Sequence, residues 1–161
     1  MSIRLDEKKV IDILSKREYF IKIISTQREE LAADLYNKDG VIQQISLKGK
    51  EFDKLQLGKT NNRNDIGIVY ERTEKELLNQ IKVINKQLDE LQEEENLINT
   101  VWIAYRNLDK EEYELIGRLY IKMEKWDVIC KDLGITRSTL QRRRKQVMKH
   151  FFRLIDILEE R

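Results

Sequence analysis

The run from Arg137 to Lys149 carries six lysine and arginine side chains and no acidic one. Arginine can donate two hydrogen bonds to guanine, glutamine can do the same to adenine, and lysine and arginine bind phosphates. The candidates for contacts to bases or adjacent phosphates are Arg137, Ser138, Gln141, Arg142 and Lys145, and those for backbone anchoring are Arg143, Arg144 and Lys149. The run therefore predicts a DNA-binding surface, and an ordinary solvated basic face is the alternative.

A short apolar helix and a glycine turn precede this run. One face of the helix repeats at helical spacing, through Trp126, Ile129 and Leu133. Cys130 supplies the small residue needed where two helices nearly touch. Gly134 suits the left-handed position just past a helix end, and the Thr136 hydroxyl can cap the next helix.

The next helix has two unlike faces. Its apolar residues lie on one side, at Leu140, Val147, Phe151 and Leu154. The basic residues point partly or wholly the other way. A recognition helix needs this division, because its apolar side packs on its own domain while its N-terminal donors face base edges. The pattern predicts a helix-turn-helix.

The stretch from Leu108 to Leu154 resembles the region-4 helix-turn-helix of sigma factors. It is similar above all to the phage late-transcription regulators of the ArpU/RinA kind. The matching residues are Glu111, Glu112, Leu115, Tyr120, Trp126, Ile129, Cys130, Leu133, Gly134, Ile135, Thr136, Leu140 and Arg143. Family members tend to have alanine where this chain has Cys130, and the likeness extends over roughly residues 66–155. The resemblance implies double-stranded DNA as one partner, RNA polymerase as another, and activation of late phage genes.

The composition of the chain predicts long helices. Among its 161 residues 40% are hydrophobic and 37% charged, and there is no proline. We therefore expect an all-α fold, with long coiled-coil-like helices followed by a C-terminal helix-turn-helix domain. The predicted division is residues 1–107 for the long helices and residues 108–161 for the DNA-binding domain.

The long helices are predicted from apolar residues spaced alternately by three and four. One helix is expected over residues 5–36 with a stop at 37–40, and a second from Asp65 to about Asn107. The expected connection over residues 37–64 is irregular, with a short helix or a packed loop in 41–64. The two helices can pair with each other or with further copies, and we expect a homo-oligomer, dimer or tetramer.

Nothing in the sequence indicates an enzyme, a cofactor or a metal. There is one cysteine, and the single histidine, His150, reads as a packing or surface residue. Gly58-Lys59-Thr60 matches the end of a phosphate-binding loop, but Asp53 stands where that loop needs a glycine. No segment resembles a signal peptide or a membrane span, so we expect no membrane partner and a cytoplasmic location. The resemblance to phage regulators implies that this is the cytoplasm of a bacterial host cell.

Two other functions fit the same pattern. A small terminase-like DNA-packaging protein also combines a helix-turn-helix with oligomerising helices, although its DNA-binding part usually comes first. A coiled-coil interaction module would use the basic helix to contact an acidic protein or RNA.

Overall fold

The computed structural model describes the backbone of residues 5–54 and 63–160 and the side chains of residues 5–43 and 71–160. These residues form five α-helices and one π-helical turn and contain no strand, which confirms the predicted all-α class. None of their helices is long and apolar enough to span a membrane. The phosphate-loop fragment, residues 58–60, lies outside the described residues.

The first helix, α1, runs from Glu7 to Lys54, so the predicted stop at residues 37–40 is wrong. Residues 41–54 are helical, and the remainder of the predicted connection, residues 55–62, lies outside the described residues. Within α1, Lys16 departs from helical backbone angles, with φ −128° and ψ 22°, and marks a kink.

The helix continues through Gly40 because nothing there is strong enough to end it. A glycine inside a helix costs only about 1 kcal/mol relative to alanine, whereas proline, which the chain lacks, costs about 3 kcal/mol. Lys38 also forms an ion pair with Asp34, one helical turn earlier, with its Nζ 2.6 Å from Oδ1 of Asp34. Leu35, Lys38 and Ile42 keep the spacing of the less exposed face without interruption.

The second helix, α2, runs from Arg63 to Arg106, close to the predicted bounds. Residues Ile23–Glu93 form one of two compact units, which we call the central unit. Among its described side chains, residues 23–43 and 71–93, the less exposed ones apart from Ile23 are spaced alternately by three and four, at Ile24, Arg28, Leu31, Leu35, Lys38 and Ile42 on α1 and at Glu74, Leu77, Ile81, Ile84, Leu88 and Leu91 on α2. In these two ranges each helix thus has one narrow, less exposed stripe.

The second unit, the terminal unit, consists of Met1–Lys22 and Glu94–Arg161. It contains α3 (Lys110–Ile116), a π-helical turn (Gly117–Ile121), α4 (Trp126–Leu133) and α5 (Arg137–Glu159). Its fully or nearly buried residues come from all five helices, and they include Val10, Leu14, Ile98, Val101, Ile116, Ile129, Leu140, Phe151 and Ile155. The predicted boundary between residues 107 and 108 therefore does not coincide with the division of the structure.

Helix α3 begins after the cap residue Asp109. The N–H of Asp109 donates to Oε2 of Glu112 at 3.4 Å, which is one half of a capping box.

The helix widens into the π-helical turn after Ile116, because the N–H of Lys122 bonds to the carbonyl of Gly117, five residues back, at 2.8 Å. Gly117 lies against Tyr105, whose phenol donates to the carbonyl of Tyr113 at 3.3 Å. Burial first, and interaction with the side chain of Tyr113 second, raise the pKa of Tyr105 above its usual range, so the phenol stays protonated.

We expect Gly117→Ala to lower the free energy of unfolding by about 1–3 kcal/mol, the usual cost of overpacking. A Cβ atom at Gly117 would lie 2.7 Å from Oη of Tyr105, inside van der Waals contact. Urea titrations followed by circular dichroism measure the loss. Adding Tyr105→Phe removes the clashing oxygen and should recover part of it.

Gly40→Ala is the matched control, because a Cβ there meets no atom within 4 Å. Its expected effect is opposite, a gain of about 0.5–1 kcal/mol from helix propensity. Equal effects of the two substitutions would contradict the close approach of Tyr105 to Gly117.

Candidate nucleic-acid interface

Helices α4 and α5 are joined by only three residues, Gly134–Thr136. Gly134 adopts the left-handed conformation, with φ 62° and ψ 31°, as predicted. The N–H of Ile135 then bonds to the carbonyl of Cys130 at 3.0 Å, which closes the end of α4. The Oγ1 atom of Thr136 accepts from the N–H of Thr139 at 3.3 Å, so the predicted cap of α5 is confirmed.

The packing of α4 agrees with the prediction at its centre and departs from it at its end. Ile129 is fully buried, and Trp126 and Cys130 are half-buried. Leu133, predicted to pack with them, is 45% exposed. It is the last residue before the turn, where the chain leaves the core. On α5, Leu140 is fully buried, so Ile129 and Leu140 anchor the two helices.

The outward face of α5 carries a straight polar and basic stripe. Its residues are Ser138, Arg142, Lys145 and Lys149, all exposed. Steps of four, three and four residues keep them within about 60° around the helix and spread them over roughly 16 Å of its axis. The opposite face is buried, through Leu140, Val147, Met148, Phe151 and Ile155. We call the four exposed residues the basic stripe.

Three further predicted residues flank the basic stripe. Gln141 and Arg143 are exposed on its two sides, and Arg137 lies at the start of the helix. The Nε atom of Arg137 is 3.7 Å from Oδ1 of Asp127 on α4, and both side chains are more than two-thirds exposed. Such an exposed pair contributes little to stability, so Arg137 can exchange Asp127 for another acceptor.

Arg144 does not lie on this exposed surface, and its contacts within the protein argue against its predicted role as a phosphate contact. Its Nε donates to Oη of Tyr120, and a terminal nitrogen donates to a carboxylate oxygen of Glu7. The guanidinium also lies over the Tyr120 ring, 5.8 Å from its centroid. The side chain of Arg144 is 22% exposed, against 71% for Arg137. Burial raises the pKa of Tyr120, although Arg144 partly offsets it, so the phenol is neutral.

A spacing signal for this inward position is present in the sequence. Arg144 comes four residues after Leu140, three before Val147 and seven before Phe151, so it lies on the buried face. When Arg144 is grouped with Arg142 and Arg143 as one basic run, this spacing is ignored and Arg144 is wrongly expected to be exposed. Glu7 had no such signal, because its contact with Arg144 joins residues far apart in the chain.

His150 has a partner that the sequence did not indicate. Its Nδ1 atom is 2.7 Å from Oε2 of Glu112, which links α5 to the first turn of α3. Asp109 lies beside this pair. One potential ligand atom from each of Asp109, Glu112 and His150 lies within 4.8 Å of the other two, a spacing that could hold a metal ion. Glu112 already serves both the cap and His150. The partial positive charge of a helix N-terminus also disfavours a cation there.

Comparison with protein-family models, with curated proteins and with solved structures gives no match. The resemblance to phage late-transcription regulators therefore stays a prediction from the residues between Leu108 and Leu154.

Removing the cap of α5 should destabilise the terminal unit. We expect Thr136→Ala to lower the free energy of unfolding by about 1 kcal/mol, because the N–H of Thr139 loses its acceptor. Thermal unfolding followed by circular dichroism measures the change. Thr136→Ser retains the hydroxyl and should stay close to the wild-type value; equal loss in both variants would mean that the threonine methyl group, and not the cap, is responsible.

Proposed function

We propose that this protein is a sequence-specific DNA-binding transcription regulator that inserts α5 into the major groove. The observation that carries the proposal is the basic stripe, which faces away from the buried face of the same helix. The major groove, about 12 Å wide, admits one α-helix, and the first turns of that helix then lie closest to the bases.

The chemistry of the stripe fits this insertion. Ser138 and Arg142 lie in the first two turns of α5, where they can reach base edges, and Lys145 lies one turn further on. Lys149 is far enough along the helix to meet the phosphate backbone. No acid interrupts α5 between Arg137 and Lys149. The proposed reading residues are thus Arg137, Ser138, Gln141, Arg142 and Lys145, with Arg143 and Lys149 on phosphates.

Activation of late phage genes together with RNA polymerase is the more specific form of the proposal. Its support is the resemblance of residues 108–154 to sigma region 4 and to the ArpU/RinA regulators. In this form the protein binds beside a promoter and acts with the polymerase and its own sigma factor.

Selection of bound duplexes from a random DNA pool tests sequence reading directly. We expect a defined motif from the wild-type chain. Arg142→Ala should weaken binding to that motif by about 1–3 kcal/mol, because a bidentate base contact is lost, and should change binding to unrelated DNA much less. Lys149→Ala is the contrasting variant: it should weaken both kinds of binding and reduce the salt slope by about 1. Equal losses on both DNAs in Arg142→Ala would make Arg142 a phosphate contact.

Self-association forms a second part of the proposal, since paired recognition helices suit a site with two half-sites. In the central unit only Ile24 and Ile84 are buried among the described residues, and Leu31, Leu77 and Leu88 remain partly exposed. We infer that further copies cover part of this apolar surface.

Sedimentation equilibrium of the full chain measures the assembly. A dimer or tetramer is the expected mass and agrees with a regulator. A ring of many subunits would favour DNA packaging, and a monomer at all concentrations would contradict self-association.

A further inference from the structure

The contacts of Arg144 join three separate parts of the terminal unit. Arg144 itself lies on α5, Tyr120 lies in the π-helical turn, and Glu7 lies in the first turn of α1. All three side chains are at least partly shielded from solvent, and Tyr120 is half-buried. The guanidinium therefore ties the N-terminal helix to the helix that carries the basic stripe.

Arg144 occupies a position on the buried face of α5 where helical spacing would lead one to expect an apolar residue. Its neighbours on that face, Leu140, Val147 and Phe151, make apolar contacts, which are not directional. A guanidinium is planar and donates along fixed directions, so its hydrogen bonds define an angle as well as a distance. Arg144 thus adds a rotational constraint that the apolar residues do not supply.

The rotation of α5 about its axis decides what the basic stripe can reach. A helix with side chains is about 10–12 Å across, so a rotation of about 20° moves a side-chain tip by roughly 2 Å. Hydrogen bonds tolerate only a few tenths of an ångström around 2.9 Å. A bidentate contact to a base is lost by such a shift, whereas attraction to phosphates, which is long-ranged, is nearly unaffected.

We propose that Arg144 is a positioning residue for DNA reading, which holds α5 against Tyr120 and Glu7 at the rotation that presents the basic stripe. This inference rests on the proposed function. It makes the first turn of α1 a part of the DNA-reading unit, although its residues lie more than a hundred positions away from α5 in the sequence.

Arg144→Lys and Glu7→Gln in the full-length chain test the proposal. The probes are the duplex that the wild-type chain selects from a random pool and an unrelated duplex of equal length. Affinities are measured well below the unfolding temperature of each variant, as determined by circular dichroism. We expect Arg144→Lys to weaken binding to the selected duplex about tenfold or more, the loss of one base contact, and to leave the unrelated duplex within about twofold. Glu7→Gln should act in the same direction and less strongly.

The two substitutions separate positioning from a direct phosphate contact. Lysine keeps the positive charge, so a phosphate contact would survive Arg144→Lys with both affinities little changed. Glu7→Gln removes an acid and releases Arg144, so a phosphate contact would then strengthen on both duplexes. Matched controls are Arg153→Lys, an exposed arginine further along α5 with no proposed role in DNA binding, and Glu111→Gln, an exposed acid on α3. Neither should change the ratio of the two affinities.

The outcomes distinguish this inference from the proposed function. A wild-type chain without any sequence preference overturns the proposed function and the inference with it. A preference that persists unchanged in both Arg144→Lys and Glu7→Gln overturns the inference alone. If Arg144→Lys does not fold, Glu7→Gln decides, because Glu7 is half-exposed and glutamine preserves its shape.

Discussion

The packing of α5 on the terminal unit is the constraint on which the proposed interface depends. Leu140, Phe151 and Ile155 are almost completely shielded from water, so this face of α5 cannot turn outward without exposing them. Each fully buried large apolar side chain contributes about 1.5–3 kcal/mol, far more than any exposed ion pair. The basic stripe faces outward because the opposite face is fixed inward.

The core that receives α5 is assembled from both ends of the chain. Val10 and Leu14 from α1 and Val101 from α2 are as deeply buried as Ile116 or Phe151. A fragment beginning at residue 108 would therefore lack α1 and α2, and would expose apolar surface that the whole unit buries. The DNA-binding domain predicted from the sequence motif, residues 108–161, is smaller than the terminal unit. Sequence motifs report local structure, whereas the extent of a folding unit depends on contacts between distant segments.

The sequence predicted correctly several local features of the turn between α4 and α5 and of the buried face of α5. The left-handed Gly134, the cap at Thr136 and the buried positions of Leu140, Val147 and Phe151 all follow from local backbone chemistry or helical spacing. The errors have physical causes. The predicted helix end at residues 37–40 was wrong because asparagine and glycine interrupt a helix only weakly, and the chain has no proline. The inward turn of Arg144 was readable from its spacing, but its partners Tyr120 and Glu7 were not, because tertiary packing brings them together.

The charged residues within the long helices bear on the pairing that those helices make. An arginine among apolar seam residues costs stability in a simple two-stranded arrangement, and such residues select register and partner. In the central unit Arg28 donates to Oε1 of Gln92 at 3.3 Å, which spans α1 and α2 within one chain. In the terminal unit the Arg17 guanidinium lies over the Trp102 ring at 4.9 Å and donates to Oδ1 of Asn99 at 3.5 Å. Both arginines thus contact residues on α2 of the same chain. These contacts favour intramolecular pairing of α1 with α2 at Arg17 and at Arg28. Under the proposed self-association, a second copy would pack beside the helix pair, against residues that this pairing leaves partly exposed, and would not replace either helix.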